Sequence, residues 1–167
     1  MAEVETAREL LVMALQDLLD GEKALVERLP SVEEVAREPD FKALIASDRT
    51  RSETQRDRVS AILQSLGETA GDSPNIWLRA ILDDADNDAE TIAAGSLRDI
   101  ALIGALRKGK QSERVSYETA IALAERLGLG DAAVDLRRNR DEDRGADDAL
   151  ANMLARLTDA LEPGEQA

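Results

Sequence analysis

The stretch Leu97–Leu127, LRDIALIGALRKGKQSERVSYETAIALAERL, decides the fold. From Ile103 onward its apolar side chains recur every three or four residues, which is the spacing of one face of an α-helix. Lys110 and Glu113 lie on that same face, near its middle. The segment therefore predicts a long amphipathic helix whose buried face is interrupted by charged side chains.

Three other segments repeat this pattern of an apolar helical stripe that is broken near its middle. Glu22 interrupts the first stripe, Asp48, Ser52 and Gln55 interrupt the second, and Asp143 interrupts the last. Four such helices predict an all-α four-helix bundle with a polar layer at mid-height, which is where bundle proteins build metal sites. An ionised carboxylate in such a core costs several kcal/mol unless it is paired or binds a metal.

The composition favours helices over strands and one domain over two. Of 167 residues, 43% are hydrophobic but only 2% are aromatic, and no segment alternates apolar and polar residues as a strand does. We expect a single domain over residues 1–161, followed by a disordered polar tail at 162–167. Pro30 is predicted to end the first helix, and Ser73 to cap the helix after the crossover loop. The predicted helices are Ala7–Leu29, a short turn from Ser31, Asp40–Leu66, a shorter helix Asn75–Ala94, Leu97–Leu127 and Asp131–Leu161.

Charge and residue usage exclude several classes of function. A net charge of −14 argues against binding to a phosphate backbone, so no nucleic-acid partner is expected. The chain contains neither cysteine nor histidine, which excludes disulfides, thiolate ligands and the usual nucleophile–histidine catalysts. No apolar run approaches the roughly 20 residues of a membrane span. We expect a cytoplasmic protein without a membrane partner.

The chain resembles the YciE/YciF family of ferritin-like proteins, from about Leu10 to Leu157. The segments that carry the resemblance are Leu18–Lys23, Leu29–Pro30, Ser52–Arg58, Leu97–Ile103 and Tyr117–Gly128. The resemblance implies a ferritin-like four-helix bundle with a long crossover and one extra short helix. It also implies a bacterial stress response, a homodimer and a di-metal centre, while the protein partner stays unidentified.

Several positions of the implied metal centre differ from the family pattern. Where the family has histidine, acid and histidine in the second helix, this chain has Asp48, Arg51 and Gln55. A Glu-His pair in the long helix is replaced by Lys110-Gln111. The acids that match the pattern are Glu22, Glu113, Glu142, Asp143 and Asp147, and Glu53 joins them if the register of the second helix slips by a turn.

These replacements lead to three hypotheses. In the first, the metal site is lost, no cofactor binds, and Lys110 and Arg51 replace the positive charge of the metal in a non-catalytic protein. Its predicted site is Glu22, Asp48, Arg51, Gln55, Lys110, Gln111, Glu113 and Asp143. The second is a carboxylate-only iron or manganese site with oxidase, ferroxidase or storage activity, which uses Glu22, Glu53, Glu113, Glu142 and Asp143. The third is a small-molecule pocket lined by Tyr117 or Trp77, although Tyr117 on the apolar stripe is more often a packed core residue with a satisfied hydroxyl.

Overall fold

The computed structural model describes residues 3–161, and that part of the chain folds into five α-helices with no β-strand. The helices are α1 (Ala7–Val35), α2 (Pro39–Ser65), α3 (Ile76–Thr91), α4 (Ser96–Arg126) and α5 (Gly130–Asp159). The four long helices form the bundle, and the shorter α3 packs against α1 and α4. No helix in residues 3–161 is long and apolar enough to cross a bilayer. The predicted tail at 162–167 lies outside the described residues.

The prediction that Pro30 ends the first helix is wrong. The helix α1 continues through Pro30 to Val35, and the Ser31 hydroxyl donates to the carbonyl of Arg28 instead of capping a new turn. Pro30 is exposed, so its ring meets solvent, whereas Val32 in the next turn is buried in the core. Burial of this apolar turn offsets the one backbone hydrogen bond that proline cannot donate.

The helix α3 begins later than the sequence predicted. Asn75 caps it, because its side-chain oxygen accepts the Leu78 backbone N–H at 2.9 Å, so the prediction of Ser73 as the cap is wrong. Two glycines let α3 approach the bundle closely. A β-carbon at Gly21 would lie 3.0 Å from the side-chain nitrogen Nδ2 of Asn75, and one at Gly109 would lie 3.2 Å from a methyl carbon of the Leu78 side chain. These glycines therefore serve close helix packing.

The start of α2 is held by a buried carboxylate. Asp99, near the start of α4, accepts the backbone N–H of Arg37 at 2.9 Å and that of Glu38 at 2.7 Å. The amides of a helix N-terminus lack partners within the helix, so this long-range contact satisfies donors that the local sequence leaves unpaired. It also joins the α1–α2 turn to α4.

The hydrophobic core consists of two clusters that lie on either side of a polar layer. Along α1, one cluster takes Leu11 to Leu19, the other takes Ala24 to Val32, and Glu22 lies between them. On α2, α4 and α5 too, buried polar residues separate a run of apolar residues in one cluster from a run in the other. The interrupted stripes of the sequence thus meet at one level of the bundle.

Candidate functional site

Lys110 lies at the centre of the polar layer and contacts three carboxylates. Its Nζ is 3.0 Å from Glu113 Oε2, 3.1 Å from Asp143 Oδ1 and 3.3 Å from Asp48 Oδ2. Only 1% of the Lys110 side chain is exposed. The Lys110 nitrogen thus lies within ion-pair distance of three buried acids. Three helices, α2, α4 and α5, therefore contribute charges that meet at one ammonium group.

A hydrogen-bond chain continues from this ion cluster to α1. Tyr117 donates its hydroxyl to Glu22 Oε1 at 2.6 Å, and the Asn139 amide donates to the Tyr117 oxygen at 3.1 Å. Gln55 donates to Asp143 Oδ1 at 3.3 Å and to the Asn139 carbonyl at 3.1 Å. We call the whole set the polar layer, and its buried members are Glu22, Asp48, Ser52, Gln55, Lys110, Glu113, Tyr117, Asn139 and Asp143.

Two members of the predicted site lie at the edge of this layer or outside it. Arg51 is half-buried and donates to Asp48 Oδ1 at 3.0 Å, so it reaches the layer from the solvent side. Gln111 is exposed and donates to Asp147 at 3.2 Å, away from Lys110. A step of one residue turns a helix face by about 100°, which separates Gln111 from its buried neighbour.

The acids of the alternative metal set divide in the same way. Glu22, Glu113 and Asp143 are buried in the layer, whereas Glu53 is at the surface, 3.7 Å from Arg49. Glu142 is half-buried at the rim of the bundle. Its carboxylate pairs with Arg58 at 2.7 Å. These two acids therefore do not join the buried cluster.

Sequence reasoning missed Asn139 and the hydrogen-bond partners of Tyr117. Asn139 lies three residues after Leu136 and four before Asp143, so helical spacing alone places it on the buried face of α5. Tyr117 was expected to be a packed core residue with a satisfied hydroxyl, and it is fully buried with its hydroxyl hydrogen-bonded. Its partner Glu22 belongs to another helix, and only the relative register of α1 and α4 reveals that contact.

The layer binds protons more tightly than its residues do in water. Burial raises the pKa of Glu22 to about 8, although nearby Lys110 opposes the shift. Burial also raises the pKa of Glu113 well above its usual range, and it raises the pKa of Asp143, again against the effect of Lys110. Burial alone lowers the pKa of a lysine, but Asp143, Asp48 and Glu113 together raise the pKa of Lys110 well above its ordinary value. At neutral pH Lys110 is therefore charged, whereas Glu22, with a pKa of about 8, is mostly protonated.

Several buried oxygens of the layer have no hydrogen-bond donor among the described residues. They are Glu22 Oε2, Asp48 Oδ2, Ser52 Oγ, Gln55 Oε1, Glu113 Oε1 and Asp143 Oδ2. Asp48 Oδ2 still faces the Lys110 ammonium as an ion pair. Carboxylate oxygens that face one another need a proton, a water or a cation between them. Glu22, whose pKa is raised to about 8, can carry such a proton at neutral pH.

The residues of the layer do not fit the di-metal centre that the resemblance implies. Such a centre takes a carboxylate from each of two helices and a Glu-x-x-His pair from each of the others. Here the described acids offer one cluster, in which single oxygens of Glu22, Glu113 and Asp143 lie within 4.8 Å of one another. Lys110 contacts two of these three acids with a charged ammonium, which repels a dication. The donor set thus matches one small cation at most, and the Lys110 ammonium already contacts two of its three acids.

Tyr117→Phe is expected to lower the free energy of unfolding by about 1–3 kcal/mol, since it leaves a buried Glu22 oxygen without its donor. Urea denaturation followed by circular dichroism measures this change. Thr119→Val is the matched control, because it also removes a hydroxyl from α4, but an exposed one that bonds only its own helix. Equal, small effects of both substitutions would show that the Tyr117–Glu22 bond contributes nothing.

Comparisons with known proteins agree with this architecture. The family described as "Domain of unknown function (DUF892)" matches residues 6–161. The protein YciF of Escherichia coli (strain K12) is 22% identical over 151 residues, which cover 90% of this chain and 91% of YciF. The crystal structure of the E. coli stress protein YciF superposes with a TM-score of 0.90 at 21% identity, over 95% of this chain and 100% of that chain. A solved structure of YcfI from Rhodopseudomonas palustris, described as a candidate structural protein, superposes with a TM-score of 0.85 at 26% identity, over 89% and 95% of the two chains. The fold is therefore a ferritin-like helical bundle, and the chain belongs to the DUF892 family of YciE/YciF-type proteins.

Proposed function

We propose that this protein is a non-catalytic ferritin-like bundle in which an ion-pair layer has replaced a di-metal site. The observation that carries the proposal is the position of Lys110, whose ammonium contacts carboxylates from α2, α4 and α5 at 3.0 to 3.3 Å. A cation in this position offsets the mutual repulsion of the acids, which is the structural part of what a bound metal does.

The layer offsets most of its negative charge without a metal ion. Lys110 supplies one positive charge at the centre, and Arg51 supplies a second from the rim through Asp48. Protons reduce the remaining excess of acid, because burial raises the pKa of Glu22 to about 8 and that of Glu113 well above its usual range. At neutral pH the layer is therefore stabilised by ammonium, guanidinium and bound protons together.

The comparisons support a structural role in a stress response. YciF is described as a stress protein, and YcfI is described as a candidate structural protein. Ion pairs fill the polar layer of this bundle, which suits a protein that binds its partners at the outer surface and not in the interior. The homodimer and the cytoplasmic location that the sequence suggested stay predictions, and they are compatible with this role.

One observation favours a second function, namely a carboxylate-only metal protein. Glu22, Glu113 and Asp143 bring single oxygens within 4.8 Å of one another, which is close enough for one hard cation. Iron or manganese held there would supply oxidase, ferroxidase or storage chemistry. Binding requires that Lys110 leaves its contacts with Glu113 and Asp143 and that the acids release their protons.

Metal analysis distinguishes the two functions. We expect protein purified without chelators, and then incubated without oxygen with iron(II) or manganese(II) and desalted, to carry far less than one metal ion per chain. Elemental analysis by mass spectrometry measures the ratio. Retention of about two equivalents, as a ferritin-type pair requires, would overturn the proposal. Retention of one equivalent, lost in Glu113→Gln, would establish the second function instead.

A further inference from the structure

A groove open to solvent runs along the outer side of α2 where it meets α5, next to the polar layer. It encloses about 420 Å³. The residues that line it are Ser47, Thr50, Arg51, Thr54, Arg58 and Glu142. All but Glu142 belong to α2, where steps of three and four residues place them along one stripe of the helix. This stripe contains two arginines and three hydroxyls but no acid, in a chain of 35 acidic and 21 basic residues.

Each arginine is fixed by one nitrogen and keeps its other donors free. Arg51 uses Nη1 to reach Asp48 at 3.0 Å. Arg58 uses Nη1 to reach both Asn139 Oδ1 and Glu142 Oε2, each at 2.7 Å. The Nε and Nη2 groups of both side chains have no hydrogen-bond acceptor among residues 3–161. Since both side chains line the groove, it contains two guanidinium groups that are held in place but only partly used.

The acids near the groove are already matched by other charges. Asp48 is shared between Arg51 and the buried Lys110, so it does not cancel the charge of Arg51 completely. Glu142 is paired with Arg58. An anion in the groove would thus meet two guanidinium groups, while the acids beside it already face cations.

We propose that this groove binds a phosphate group, either free or as part of a small phosphate ester, between Arg51 and Arg58. The two residues are seven positions apart, about 10.5 Å along the helix, and Thr54 lies between them. A guanidinium group presents donors in a planar fork that matches the oxygens of phosphate. The exposed Ser47 hydroxyl lines the same groove and adds a donor.

Both sources of phosphate are tested by isothermal titration calorimetry of the intact protein at neutral pH. One titration uses inorganic phosphate and the other uses glycerol 3-phosphate, each with chloride added to hold the ionic strength constant, because salt screens exposed charges. We expect saturable binding of one anion per chain to at least one of the two probes. Arg51→Gln and Arg58→Gln should each weaken it at least about tenfold, as the loss of one charge-assisted contact predicts.

Arg56→Gln is the matched control, since it removes the same charge from the same helix. Arg56 pairs with its neighbour Asp57 and does not line the groove, so its loss should leave the affinity unchanged. If Arg58→Gln does not fold, Arg58→Lys keeps the charge that faces Glu142 and should still lose affinity, because lysine has no planar fork. The absence of saturable binding by both probes, or an equal loss in Arg56→Gln, would overturn the proposal.

Discussion

Lys110→Glu is expected to lower the free energy of unfolding by about 3–5 kcal/mol, the usual cost of removing one partner from a buried ion pair. The substitution replaces the ammonium that contacts Glu113, Asp143 and Asp48 by another acid. Repulsion among the buried carboxylates then adds to the loss of attraction. For a chain of this size the melting temperature should fall by at least roughly 6 °C. Differential scanning calorimetry of metal-free protein measures both quantities.

Lys108→Glu is the control for this experiment. It makes the same charge change two residues away on α4, but Lys108 is 64% exposed, with only a surface contact of 3.4 Å to Asp84. Exposed ion pairs contribute about 1 kcal/mol or less, so this variant should melt close to the wild type. If Lys110→Glu also melts at the wild-type temperature without metal, Lys110 is not the counter-charge of the layer and the proposed function loses its main support.

The helices were predictable because their signals are local. The sequence predicted α2 at Asp40–Leu66, and the structure places it at Pro39–Ser65. Helical periodicity and the glycines that follow the helices are sufficient for such boundaries. The two errors, at Pro30 and Ser73, arise where contacts between distant segments override local preference. The helix α1 continues beyond Pro30 because its last turn is buried in the core. The start of α3 is fixed by hydrogen bonds between Asn75 and α1.

The burial of Lys110 at the centre of the polar layer was predictable from helical spacing, but the positions of the residues at the edge of the layer were not. Lys110 shares a helix face with Leu106 and Glu113, so its burial follows from helical geometry once four stripes are seen to meet. Arg51 and Gln111 were placed with it because they occupy ligand positions in the family pattern. Their side chains lie one residue away from the buried face, which is enough to turn them towards the rim or solvent.

Glu22→Gln is expected to stabilise the protein at pH 8 and to flatten the dependence of its stability on pH. The pKa of Glu22 is about 8 in the folded protein against an ordinary value of 4.5, so the folded state keeps a proton that the unfolded state releases between these values. The contribution of this proton to the free energy of unfolding is therefore fully present below about pH 4.5, and it is lost as the pH rises towards 8. Glutamine is neutral throughout and can still accept the Tyr117 hydroxyl. The free energy of unfolding is expected to rise by about 2–4 kcal/mol at pH 8, which is less than the free energy that corresponds to the full pKa shift of Glu22.

Urea denaturation of Glu22→Gln and wild type between pH 5 and 9 measures this difference, with Glu53→Gln as the control. Glu53 is a surface residue near Arg49, so the same chemical change there should leave the profile unaltered. A residual slope is expected in Glu22→Gln, because burial also raises the pKa values of Glu113 and Asp143. If the variant is instead less stable at pH 8 and the slope is unchanged, Glu22 is ionised in the native state. The layer would then hold more negative charge than Lys110 and Arg51 offset, which would favour a bound cation over bound protons as the neutralising species.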